Sequence, residues 1–217
     1  MIVVDGVTVE VGGQVILRPV SFEVADGAVL AVVGPSGSGK STLLGCVSGL
    51  LVPSAGAVEV AGRAMAGGEA QRARLRREHL GVVSQDADLL DELDVVENVA
   101  LPLIFAGRGR AEAMELAVAA LTRVGCESLA QARPGTLSGG EAQRVAVARA
   151  LTVPGRAIVA DEPTAALDRR NALSVGALVV DNAREQGSAT LVATHDLELA
   201  AMCDEVLDLR AVEVGAA

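Results

Sequence analysis

Gly34-Pro35-Ser36-Gly37-Ser38-Gly39-Lys40-Ser41 constrains this chain more tightly than any other stretch. It satisfies G-x-x-x-x-G-K-[ST] at every fixed position. It follows the apolar run Val29–Val33 and precedes Lys40–Leu50, which reads as a helix. A buried strand must therefore deliver a glycine-rich turn to a helix N-terminus. The glycines free backbone N–H groups to turn inward, and the helix adds its positive end, so the turn is a cradle for phosphate. Lys40 is the only lysine, because the other 17 of the 18 Lys and Arg residues are arginines. A flexible stem with a point charge lies along a phosphate chain in a tight loop, where a planar guanidinium is too broad. Ser41 offers a hydroxyl to Mg²⁺, and Thr42 continues the helix start.

A second site element lies far downstream. Ala157–Ala160 is an apolar strand that ends in Asp161 and Glu162. A buried parallel strand aims its C-terminal end at the ligand crevice. Asp161 is placed to hold Mg²⁺, and Glu162 to polarise the water that attacks a terminal phosphate. Leu137-Ser138-Gly139-Gly140-Glu141 carries two readings that are compatible. Ser138-x-x-Glu141 is a capping box that starts a helix, and the paired glycines let a phosphate approach that helix end.

The rest of the chain alternates. Residues 2–10, 15–17 and 22–24 read as an antiparallel meander of short strands, and Val58–Val60 as another strand. A helix over 70–78 and a strand over 81–84 follow. Helices near 94–105, 110–124 and after Ser138 form a block. Beyond Pro154, strands at 157–160, 190–194 and 205–209 alternate with helices at 168–186 and 196–202. This predicts an α/β fold, a parallel sheet with helices on its faces, an N-terminal antiparallel β part and an inserted helical part.

Composition narrows the class. Net charge is −10, which argues against nucleic acid as a partner. The densest basic patch, Arg72, Arg74, Arg76 and Arg77, reads as a solvated helix face. With no Tyr or Trp and two Phe, the core is aliphatic. Cys46, Cys126 and Cys203 have no metal-ligand spacing and read as free thiols of a reducing compartment. No signal peptide and no membrane span is expected, and no appended C-terminal regulatory domain.

Leu137-Ser138-Gly139-Gly140-Glu141-Ala142-Gln143-Arg144, together with the phosphate loop, resembles the signature of the ABC (ATP-binding cassette) ATPases. The resemblance spans nearly the whole chain and implies a P-loop NTPase core of RecA type. In it Gln85 matches the glutamine that bridges metal and helical subdomain, so it is counted with Ser41 and Asp161 as a metal contact. Ala166-Leu167-Asp168 resembles the loop that crosses a dimer interface, with Asp168 near nucleotide. His195 matches the switch histidine at the γ-phosphate. Residues 1–85 and 151–217 are then a nucleotide-binding core, and 86–150 a helical subdomain. The family implies ATP and Mg²⁺, a head-to-tail dimer with a second copy whose Ser138–Gly140 completes each site, and an integral membrane permease. The chain would be peripheral on the inner face of the cell membrane.

Arg76-Arg77-Glu78-His79-Leu80-Gly81, Glu97-Asn98-Val99-Ala100-Leu101-Pro102-Leu103 and Ala160-Asp161-Glu162-Pro163-Thr164 resemble the lipoprotein-releasing and macrolide-exporter branch. That branch implies export or extracytoplasmic force transmission. The alternative is a mechanical switch on a membrane partner that controls a cell-wall enzyme. A coiled-coil chromosome ATPase would need a larger insertion between Lys40 and Ser138. A P-loop kinase would lack the signature and Gln85.

The chain departs from the family at two points. Val11 stands where an adenine-stacking aromatic is usual, so GTP is expected to compete well with ATP. Ser84 precedes Gln85 where an aromatic is common. The acidic run Asp86, Asp88, Asp91, Glu92 and Asp94 reads as a solvated loop.

Overall fold

The structure is a computed structural model that describes residues 1–153, 157–165 and 167–210. Pro154 and Ala166 therefore lie outside the described residues. The parallel sheet contains β3 (Val29–Val33), β6 (Leu80–Val83), β7 (Ala157–Asp161), β8 (Ala189–Ala193) and β9 (Glu205–Asp208). Its order is β6-β7-β8-β3-β9, and every pairing is parallel. This is the α/β sheet that the strand–helix alternation predicts.

The N-terminal region differs from the expected meander. It forms two long strands, β1 (Ile2–Val11) and β2 (Gln14–Val24), joined by Gly12-Gly13. Those glycines have φ 59° and 81°, the left-handed pair a two-residue hairpin turn demands. Pro19 does not end β2, because among the described residues β2 is an edge strand paired with β1 alone and need not donate outward. The register shifts instead between Val7/Val20 and Val9/Leu17. On the other side of β1 lie β4 (Ala55–Val60) and the two-residue β5 (Arg63–Ala64).

Side-chain alternation on β3, β7 and β8 divides the interior. Leu30, Val32, Val159, Leu191 and Ala193 join β1, β2, β4 and helix α1 (Lys40–Val47) in one aliphatic core. Val29, Ala160 and Val192 face the other core. It is built with α3 (Val95–Phe105), α4 (Arg110–Arg123), α5 (Gly139–Leu151) and α6 (Arg169–Gln186). The last helix is α7 (Leu197–Met202), and α2 (Glu69–His79) precedes β6.

The arginine patch is corrected by the structure. Helix α1 ends at Ser48, earlier than expected, and Arg72 and Arg76 of α2 reach its end. Arg72 Nε donates to the Gly49 carbonyl at 2.8 Å, and Arg76 Nη1 to the same oxygen at 3.0 Å. Both also pair with Glu69. Two of the four arginines thus bind the carbonyl of Gly49, in the turn just past the phosphate-loop helix. Arg74, paired with Glu78, and Arg77 are exposed and match the expected solvated face.

Helix α5 presses on β6 where Gly81 lies. A Cβ there would overlap the Ala150 carbonyl oxygen. Gly81→Ala should therefore destabilise the fold by roughly 1–3 kcal/mol in chemical denaturation, an overpacking cost against backbone that cannot rotate away. At the other end of the sheet, Asp204 accepts from Val29 N at 2.8 Å and from Arg184 Nη2 at 2.9 Å. These donors hold its carboxyl below the usual aspartate range, the Val29 N–H foremost. A depressed folded pKa stabilises above the unfolded value and is lost as pH falls through the folded one. Asp204→Asn should lower the melting temperature by about 2–4 °C at pH 7, with the difference closing below about pH 4.

Candidate functional site

Four adjacent strands carry the chemistry at their C-terminal ends. In sheet order β6 leads to Gln85, β7 to Asp161 and Glu162, β8 to His195, and β3 to the phosphate loop. Residues separated by more than a hundred positions thus share one crevice edge, the usual ligand position in such sheets.

Lys40 is buried, with 8% exposure, and its ammonium donates to the carbonyls of Gly34 (2.9 Å) and Pro35 (3.4 Å). Its third neighbour is Glu162 Oε1 at 3.5 Å. Gly37 and Gly39 hold φ 81° and 96°, conformations that favour glycine. A Cβ on Gly34 would come within 2.5 Å of Ser38 Oγ. One on Gly39 would come within 3.1 Å of the Ile16 carbonyl oxygen, so the loop is wedged against β2. Ser36 is exposed, while Ser41 and Thr42 begin α1.

Glu162 sits in the left-handed region, φ 46°, where a non-glycine residue is strained. Its N–H donates to Ala193 O at 2.9 Å, which ties the turn to the end of β8. The bent chain holds a nearly buried carboxylate between two groups. Oε1 faces Lys40, while Oε2 accepts from His195 N (3.2 Å) and lies 2.8 Å from His195 Nδ1. Asp161 is beside Ser41, and its Oδ1 is buried without a partner among the described residues. Burial pushes its carboxyl up, opposed by the Ser41 hydroxyl and Lys40, while Glu162 adds to the rise. An orphaned carboxylate oxygen next to a hydroxyl at a phosphate cradle fits Mg²⁺, which takes one or two protein oxygens and completes its shell with phosphates and water. Gln85 is exposed just past β6.

Residues 137–141 are placed elsewhere. Leu137 packs against the helical core. Ser138 caps α5, and Glu141 Oε2 accepts from Ser138 N at 2.8 Å and from its Oγ at 2.7 Å. Gly139 faces open space, and no described hydrogen bond or ion pair joins this segment to the phosphate loop. Asp168 caps α6 through Arg170 N and Asn171 N and accepts from Asn171 Nδ2 at 2.6 Å. The side chain of Asn171 lies against Gly140. Val11 is at the hairpin tip, 64% exposed.

Gln143, quoted only as part of the signature stretch, and Arg149 were given no role by sequence. Gln143 Nε2 donates to Ser84 O at 3.0 Å, while Arg149 donates to Ala87 O (2.7 Å) and Asp88 O (2.6 Å). The loop that contains Gln85 is therefore pinned to α5 on both sides. A helical spacing of six residues gives no hint of a distant loop, and α5 carries other polar residues, Glu141 and Arg144, so polarity alone did not mark them. Of the acidic run, Asp94 caps α3 and pairs with Arg133, while the other four are exposed.

A crevice edge with a phosphate cradle, a buried acidic pair and a histidine belongs to the P-loop nucleotide hydrolases. The ABC transporter family model matches residues 17–165. The chain belongs to the ABC transporter ATP-binding cassette family. It is similar to the cassette MJ0796 in a dimeric post-hydrolysis state bound to ADP and Pi, with TM-score 0.88, 34% identity, and coverage of 100% of this chain and 97% of that one. A second dimeric structure of MJ0796, described as a bacterial ABC transporter cassette, gives TM-score 0.86 and 34% identity, over 96% and 95% of the two chains. The cbiO1 protein of Clostridium perfringens, part of the transporter complex cbiONQ, gives 0.85 and 28%, over 95% and 83%. Membership implies ATP hydrolysis. No described helix is long and apolar enough to cross a membrane.

Proposed function

We propose that the chain is the ATP-hydrolysing subunit of an ABC membrane complex, working as a head-to-tail pair. The convergence of Gln85, Asp161–Glu162, His195 and the phosphate loop on four adjacent strand ends supports this most directly. Lys40 exchanges its internal carbonyl partners for β- and γ-phosphate oxygens. Ser41, Gln85 and Asp161 would hold Mg²⁺, which supplies charge neutralisation on the phosphates when bound. Glu162 accepts the proton of the attacking water, and His195, now on Glu162, turns to the γ-phosphate. The exposed cap Ser138–Gly140, with Glu141 fixing its geometry, donates to the phosphate of a second copy, and Asp168 lies at that interface. The dimeric state of the MJ0796 cassettes supports this pairing.

The membrane subunit docks in a groove of about 350 Å³ between α3 and β6, lined by Leu80, Val82, Leu101, Pro102 and Phe105. Phe105 is 65% exposed in a chain with two phenylalanines. The groove borders the loop that α5 pins, so a stroke of residues 86–150 reaches the partner. The chain would lie on the inner membrane face, and the branch-like segments 76–81 and 97–103 favour export or force transmission. Purified chain should release phosphate from ATP with Mg²⁺ and not with EDTA; failure to bind ATP would overturn the reading. Phe105→Asp should abolish co-purification with the membrane subunit while Mg²⁺-dependent ATPase of the free chain persists. Retained co-purification counts against this groove.

A further inference from the structure

A nucleoside whose phosphates lie in the loop must leave through space that the loop itself borders. A cavity of about 300 Å³ meets that condition, because Gly37 and Ser38 form one wall. Ser38 Oγ is buried without a partner among the described residues. The opposite wall is β2, which the glycine at position 39 allows to butt against the loop. It contributes Val15, Ile16 and Arg18. Two of its apolar members are unusually bare, at 49% for Val15 and 37% for Ile16, while Leu17, which also lines the cavity, is buried. The cavity holds no aromatic side chain, and Val11 at the neighbouring hairpin tip is aliphatic too.

Two arginines line the cavity, and they differ. Arg210 is engaged by Asp208, with Nε at 3.0 Å and Nη2 at 2.6 Å from the carboxylate. Arg18 enters no ion pair or hydrogen bond among the described residues. A guanidinium is planar and weakly hydrated, and it stacks on aromatic faces. Resting on the nucleotide-binding reading above, we infer that Arg18 is the base-stacking residue of this site. Its guanidinium lies over the purine, with Val15 and Ile16 as apolar walls, and supplies the planar contact that the aliphatic hairpin lacks. Neither stacking nor aliphatic contact reads the hydrogen-bonding edge of a base. The site therefore takes purine nucleoside triphosphates as a class and does not single out ATP.

Equilibrium binding to the full chain, with Mg²⁺, of ATP, GTP and inorganic tripolyphosphate tests this. ATP and GTP should bind within about threefold of each other. Arg18→Ala should weaken both by about five- to a hundredfold, the range that one lost stack gives. Tripolyphosphate binding and the melting temperature should be unchanged. Arg18→Lys keeps the charge without the plane and should remain as weak as Arg18→Ala. Three results overturn the inference alone: nucleotide affinity intact in Arg18→Ala, full rescue by Arg18→Lys, or a loss that tripolyphosphate shares. Failure of wild-type chain to bind any of the three ligands overturns the nucleotide reading itself.

Discussion

Glu162→Gln is expected to reduce ATP turnover by at least about a hundredfold, the scale of a lost general base, while ATP still binds. Among the described residues, the carboxylate is the only group that pairs with both Lys40 and His195, with Oε1 at 3.5 Å from the ammonium and Oε2 at 2.8 Å from Nδ1. Glutamine keeps the length and can still meet His195 N, so the turn at φ 46° is retained. What it loses is the capacity to take a proton. It also removes a negative charge that would repel the γ-phosphate from Lys40, so bound ATP should persist. Size-exclusion chromatography with ATP should then give a dimer, and phosphate release should be near background. Hydrolysis close to that of the parent would take Glu162 out of this role.

Lys40→Arg should weaken ATP binding by about a hundredfold or more, equivalent to roughly 3 kcal/mol. The substitution keeps the charge in a protein that uses arginine everywhere else. Its failure would be geometric. The ammonium sits almost fully buried among Gly34 O, Pro35 O and Glu162. A guanidinium is wider, and the loop has little room to open, because even a Cβ added at Gly39 would lie 3.1 Å from the Ile16 carbonyl oxygen and from Leu17 Cδ1. Titration calorimetry with ATP checks this; parent-like affinity would mean that charge alone, not shape, governs the loop.

The individual site segments were legible because each carries local physics. The run Val29–Val33, the glycine turn and the helix start follow directly from residue type, as do the acidic strand end and the capping box. Their meeting in one site was expected from the family resemblance and not from local physics. The order β7-β8-β3 is a tertiary fact, and only that order brings Glu162 between His195 and Lys40. Local rules also misled where the context overrode them. Pro19 suggested a strand break, yet an edge strand tolerates it. Arg72 and Arg76 looked like a solvated stripe, yet they bind the Gly49 carbonyl in the turn after α1. Gln143 and Arg149 bind backbone carbonyls, which have no sequence signature.

The central claim is that one chain holds half of each site, and one cross-linking measurement tests it. Chains that carry Ser36→Cys and chains that carry Ser138→Cys, both with Glu162→Gln, are mixed with ATP and a short bifunctional thiol reagent. The account predicts a covalent dimer in the mixture that needs ATP and is absent from either chain alone. Cross-linking of the Ser138→Cys chain with itself, or none in the mixture despite an ATP-induced dimer, would contradict the head-to-tail arrangement.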